Sequence, residues 1–175
     1  LIIGNEDYSS RQTGLHSEVN VDYAENDADV FGQYVQKTIG LPETNVTILQ
    51  NATAAEMHRE INKLNILLKQ LDGDGEVIFY YAGHGLPDEK TKEPYLVPVD
   101  VSGSDLSLAI KLQDLYTKLT EYPSKKVTVI LDACFSGGAR NQGLVAARSV
   151  KMKPKEEILS ANLVVFSSSS EEQSS

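Results

Sequence analysis

A three-layer α/β/α sandwich around a mostly parallel central sheet is the fold class this sequence predicts, and three observations predict it. Strand-like and helix-like stretches alternate along the chain, the order that builds parallel sheets through crossover helices. Two strand-like stretches, Val77-Ile78-Phe79-Tyr80-Tyr81 and Val127-Thr128-Val129-Ile130-Leu131, are unbroken apolar runs, as suits strands covered on both faces. Finally, 175 residues without an internal repeat make one domain, 1–175, rather than two.

The elements follow in order. Leu1–Ile3 reads as a buried strand; the chain opens there without methionine and reads as a fragment, which leaves an upstream targeting signal open. Ala24, Ala28, Phe31 and Val35 form one stripe of a helix that Gly40 and Pro42 end. Val46–Leu49 is the second strand. Thr53 and Glu56 have capping-box spacing, and Met57, Ile61, Leu64, Leu68 and Leu71 follow at helical intervals until Gly73-Asp74-Gly75 stops the helix. Glu76–Ala82 is the third strand, Pro94–Val99 a further short extended piece, and Leu112–Leu119 a third helix. Val127–Leu131 and Leu163–Phe166 complete the sheet.

Composition narrows the function. Hydrophobic residues at 41% and charged residues at 23% give the balance of a folded, soluble chain rather than a disordered one. No apolar run reaches the roughly 20 residues that span a bilayer, so no membrane partner is expected. A formal net charge of −9 gives no support to a nucleic-acid partner. A single cysteine forms no internal disulfide, which favours a reducing compartment and a cytoplasmic location.

Open α/β sheets carry their chemistry at the carboxyl ends of the strands. After the third strand stands Tyr80-Tyr81-Ala82-Gly83-His84-Gly85, and after the fourth Asp132-Ala133-Cys134-Phe135-Ser136-Gly137-Gly138. A histidine or cysteine taken singly is more often structural. Here both follow core strands, both have glycines nearby, and they lie 50 residues apart, the spacing of caspase-type nucleophile and base. A thiol needs a lowered pKa or a nearby base to attack at neutral pH, and an imidazole supplies the base and later protonates the leaving amine.

These two motifs resemble the catalytic histidine and cysteine segments of the caspase superfamily, most closely those of metacaspases and bacterial caspase homologues. The resemblance runs from the first strand to Ser175. It implies the caspase–haemoglobinase fold, with His84 as acid–base and Cys134 as nucleophile. It also implies an oxyanion hole from the backbone N–H groups of Gly85 and Cys134.

The resemblance bears on specificity too. Caspases proper carry glutamine where this chain has Asp132, and they cut after aspartate. Metacaspases cut after arginine or lysine, and Asp132 and the Asp27 of Asn26-Asp27-Ala28 match their primary-pocket aspartates. Two carboxylates suit a basic side chain, and arginine pairs with them in bidentate fashion. The expected partners are thus protein or peptide substrates with basic residues. Ala24, Ala82 and Phe135 depart from common metacaspase neighbours, which bears on the pocket's shape rather than its charge.

From Arg140 to Lys155 the chain holds Arg140, Arg148, Lys151, Lys153 and Lys155 without an acid among them, in an otherwise acidic protein. The sequence reads either as a solvated basic loop or as a self-cleavage site cut by the enzyme's own specificity. Many metacaspases require calcium. Asp100 matches one ligand position, but Leu112-Gln113 and Asn141 replace others, so no cofactor and no metal is expected and calcium is read as dispensable. His16 and His58 lack zinc spacing. The tail from Phe166 resembles the cleft-forming segment after the fifth strand. The family's smaller portion does not follow, which suggests a small-subunit fragment of the same precursor as partner.

Three rivals remain at this stage. One is a catalytically inactive caspase-like scaffold or interaction domain, and another a caspase-like protease that prefers aspartate. The third is a flavodoxin-like nucleotide binder, against which Gly4-Asn5-Glu6-Asp7 offers acids where phosphate would sit. No Gly-x-Ser-x-Gly elbow supports a serine hydrolase.

Overall fold

Alternation along one strand decides the layering, because successive side chains leave a strand on opposite faces. The computed structural model describes residues 1–12, 17–133, 135 and 162–168. In chain order they form β1 (Ile2–Gly4), α1 (Ala24–Lys37), β2 (Ile48–Gln50), α2 (Ala54–Leu71), β3 (Glu76–Ala82), β4 (Gly85–Pro87), β5 (Pro94–Leu96), β6 (Ile110–Lys111), α3 (Leu112–Leu119), β7 (Lys126–Asp132) and β8 (Leu163–Ser167). The main sheet has five strands in the order β2-β1-β3-β7-β8, and every pairing in it is parallel.

Val77, Phe79 and Tyr81 of β3 turn to one face, where Ile3, Val127, Val129 and Leu131 join them. Met57, Ile61 and Leu68 of α2 and Leu112, Leu115 and Leu119 of α3 pack on that face. Tyr80 and Ala82 turn to the other face and meet Ile2 together with Ala24, Ala28 and Val35 of α1. The expected three layers are therefore present, with α1 on one side of the sheet and α2 and α3 on the other.

The capping box at the start of α2 is complete: the Thr53 hydroxyl accepts from the Glu56 N–H, and the Glu56 carboxylate accepts from the Thr53 N–H. The expected core stripe of α2 is one residue too long. Leu71 is 40% exposed and packs back over Gly75 at the end of the helix, so the buried row stops at Leu68. In the main sheet strand limits move by at most two residues from those expected, β1 and β2 both lying nearer its carboxyl edge, and the extended piece Pro94–Val99 shortens to Pro94–Leu96.

A second sheet was not anticipated. The short piece at Pro94 is the middle strand of an antiparallel sheet, β4-β5-β6. Its strands are two or three residues long and rich in glycine and proline, which hides them from any pattern of alternation. The sheet matters because β4 begins one residue after His84. The seven-residue register of β3 on β7, from Glu76↔Lys126 to Ala82↔Asp132, brings the two strands to the same carboxyl edge.

Candidate active site

His84 occupies the corner between β3 and β4. The corner turns at Gly83, whose φ of +152° lies in a region that side chains disfavour. The Gly83 N–H donates to the Asp132 carbonyl at 3.2 Å, tying the corner to the end of β7. A Cβ on Gly83 would lie 2.8 Å from the Tyr81 hydroxyl and 2.9 Å from the Tyr8 hydroxyl, so glycine is required for space as well.

Those hydroxyls hold the His84 backbone. Its N–H donates to the Tyr8 hydroxyl at 3.0 Å, and its carbonyl accepts from the Val97 N–H at 3.0 Å and from the Tyr81 hydroxyl at 2.8 Å. Both tyrosines are fully buried. Burial pushes the Tyr8 phenol up to about 12 and the Tyr81 phenol well above its ordinary value, so both remain neutral donors. The imidazole packs against the Tyr8 ring with centroids 4.6 Å apart, and its Nε2 lies 2.7 Å from the Val19 carbonyl oxygen.

Gly85 opens β4 opposite Leu96. Antiparallel ladders alternate bonded and non-bonded pairs, and the Val97 N–H to His84 carbonyl bond makes Gly85 and Leu96 a non-bonded pair. The Gly85 N–H therefore points away from β5. A Cβ on Gly85 would meet the Phe135 ring at 2.5 Å, so Phe135 is seated on this glycine. Cys134, between Ala133 and Phe135, lies outside the described residues, as do Arg140, Arg148, Lys151 and Lys153.

Asp27 and Asp132 both lie near enough to Tyr80 for their charges to act on its phenol. Asp27 lies half-buried in the first turn of α1, and Asp132 is exposed at the end of β7. Burial, then the charge of Asp132 and then that of Asp27, pushes the Tyr80 phenol up to about 12. Phe31, one helical turn after Asp27, stacks on Tyr80 with centroids 4.4 Å apart. Beside them opens a cleft of about 370 Å³ lined by Tyr80, Ile130, Leu131, Asp132, Phe166, Ser167 and Ser168.

Three further positions singled out in the sequence have structural partners. The Glu6 carboxylate accepts the Glu25 N–H at the start of α1, at 3.2 Å, so an acid fills the place a nucleotide phosphate would need. Asp100 accepts the Ala54 N–H at 2.8 Å and thereby caps α2. His58 reaches the Leu108 carbonyl at 3.2 Å. No helix among the described residues is long and apolar enough to cross a membrane.

Sequence reasoning missed Val19, Tyr8 and Tyr80. Val19 acts through its carbonyl, which no side-chain pattern reports. Tyr8 lies in a loop of polar residues that nothing marks as buried. Tyr80 was legible, because alternation along β3 puts it on the face that receives α1. Compared with protein families, the chain matches the peptidase family model described as caspase domain over residues 1–175. No curated protein matches it.

Proposed function

Because the chain belongs to the caspase-domain family of peptidases, we propose that it is a cysteine endopeptidase in which His84 and Cys134 form the catalytic dyad and which cleaves after arginine or lysine. The observation that carries the dyad is the anchored imidazole at the carboxyl edge of the sheet, 2.7 Å from the Val19 carbonyl. Cys134 follows Asp132 by two positions, as His84 follows its register partner Ala82.

The chemistry follows from the hydrogen bonds. A carbonyl only accepts, so Nε2 carries the ring proton and Nδ1 keeps its lone pair. Nδ1 takes the Cys134 proton, the thiolate attacks the scissile carbonyl, and the Gly85 and Cys134 N–H groups stabilise the oxyanion. The imidazolium then protonates the leaving amine, and a water deprotonated by Nδ1 releases the acyl group.

Tyr80, flanked by Asp27 and Asp132 beside the cleft, supports a basic side chain in the primary pocket. Two carboxylates near an apolar ring favour a cation and repel aspartate. The same specificity would let the enzyme cut its own stretch 140–155 at Arg140, Arg148, Lys151 or Lys153. Calcium is not required in this reading, and a single cysteine suits a cytoplasmic, reducing setting.

A peptide-library cleavage profile with Cys134→Ala as control tests the whole reading. Cleavage after basic residues that Cys134→Ala abolishes is the expected result. Preference for aspartate would overturn the pocket assignment. No cleavage together with no labelling of Cys134 by a reactive peptide inhibitor would favour the inactive scaffold.

A further inference from the structure

The His84–Val97 pair has a feature the ladder does not need. The bond from the Val97 N–H to the His84 carbonyl is direct, but its reciprocal is not. The Tyr8 hydroxyl is inserted there, accepting the His84 N–H at 3.0 Å and donating to the Val97 carbonyl at 2.9 Å. A direct bond would satisfy the same two backbone groups without burying a phenol. The insertion also demands glycine at 83. What it gains is the Tyr8 ring against the imidazole, at 4.6 Å.

Tyr8 is itself held from the side of the imidazole's other contact. The Asn20 side-chain oxygen accepts the N–H groups of Tyr8 at 3.0 Å and of Ser9 at 2.9 Å. Asn20 directly follows Val19, whose carbonyl takes Nε2. One two-residue segment thus holds both the imidazole and the residue that clamps it. The circuit Tyr8, His84, Val19, Asn20 and back to Tyr8 is closed.

We propose that Tyr8 and Asn20 are positioning residues for His84: the Tyr8 hydroxyl and ring fix its backbone and imidazole, and Asn20 fixes Tyr8 relative to the Val19 carbonyl. The proposal rests on the reading of His84 as the base of Cys134. The effect of Tyr8 and Asn20 passes through the direction of Nδ1, where a displacement on the order of 1 Å lowers the rate about 100-fold.

The test is the pH dependence of Cys134 alkylation by iodoacetamide, with kcat and KM for an arginine peptide, in the unmodified chain, Tyr8→Phe, Asn20→Ala and His84→Ala. His84→Ala is expected to move the alkylation midpoint up towards that of an ordinary thiol. Tyr8→Phe and Asn20→Ala are expected to move it part of the way, and to lower kcat about tenfold with KM within about twofold. A residue that only stabilised the fold would lower the melting temperature and leave the midpoint of the folded protein where it was. Midpoints and kcat that match the unmodified chain, with His84→Ala shifted, would overturn the positioning role alone. An unshifted His84→Ala would overturn the dyad, and this proposal with it. If Tyr8→Phe does not fold, Asn20→Ala carries the test, since Asn20 is exposed.

Discussion

The Val19 carbonyl oxygen stands 2.7 Å from Nε2 of His84, and an acceptor at that distance dictates where the ring proton resides. The protein has three histidines, so their ring nitrogens are separable by NMR. On the Cys134→Ala protein, ¹⁵N spectra of labelled histidine are expected to show His84 protonated at Nε2 and bare at Nδ1. The opposite tautomer would leave no base facing the cysteine and would break the proposed division of roles.

The pocket makes a separate prediction. Asp27→Asn and Asp132→Asn are each expected to lower kcat/KM for an arginine peptide by about 10- to 100-fold, as removal of one partner from a desolvated charge pair does. The same substitutions bear on Tyr80. Both carboxylates oppose formation of a phenolate there, so removing either charge lowers the Tyr80 phenol from about 12. Burial, the largest cause, remains, and the fall stays partial. A pH titration of ring-labelled tyrosine by NMR checks the direction; no change at Tyr80 would separate the two aspartates from this ring.

The parts of this molecule that were legible in the sequence were those with a local signature. The unbroken apolar runs of β3 and β7 mark strands covered on both faces, the capping box of Thr53 and Glu56 marks a helix start, and the stripe from Met57 to Leu68 repeats at the interval that burial of one helix face imposes. The glycine-flanked His84 was legible because its neighbours are unusual, not because its contacts were. What holds it is invisible to pattern: a backbone carbonyl at Val19, a tyrosine brought from 76 residues away and a β4 strand only three residues long. Those contacts depend on which loops meet at the sheet's edge, and periodicity says nothing about loops.

The capping box predicts a pH dependence of stability. Hydrogen bonds from the Thr53 N–H, then from its hydroxyl, hold the Glu56 carboxyl below its ordinary 4.5 in the folded chain. A folded value below the unfolded one contributes stability that is fully present above about pH 5 and is lost as pH falls through the folded value. Glu56→Gln removes the charge at every pH. It is expected to destabilise the protein at neutral pH by about 0.5–1 kcal/mol, with the difference closing at a pH below the folded value. Urea denaturation at the two pH values measures it, and a gap that widened in acid would contradict the sign.

Asp100 tests the metal reading. Its carboxylate accepts the Ala54 N–H, so a cation that took it would uncap α2. Peptidase activity is expected to survive a calcium chelator. Asp100→Ala is expected to cost about 1 kcal/mol of stability through the lost cap. Activity that vanished with the chelator and returned with calcium would refute the first expectation without touching the second.

Gly83 offers the most direct probe of the corner that presents His84. Alanine there meets two obstacles: a φ of +152° that a side chain disfavours, and a Cβ position 2.8 Å from the Tyr81 hydroxyl and 2.9 Å from that of Tyr8. Neither ring has room to retreat, since both tyrosines are fully buried. Gly83→Ala is therefore expected to cost about 2–4 kcal/mol and to lower activity, as backbone strain and overpacking add. Removing the Tyr81 hydroxyl separates the two terms. In the original chain Tyr81→Phe loses the bond to the His84 carbonyl, whereas in the Gly83→Ala variant it also removes the nearer obstacle. Tyr81→Phe should thus cost less in that variant than alone, a coupling that a double-mutant cycle reads directly. Purely additive costs would mean that the Tyr81 hydroxyl is not part of what requires glycine before His84.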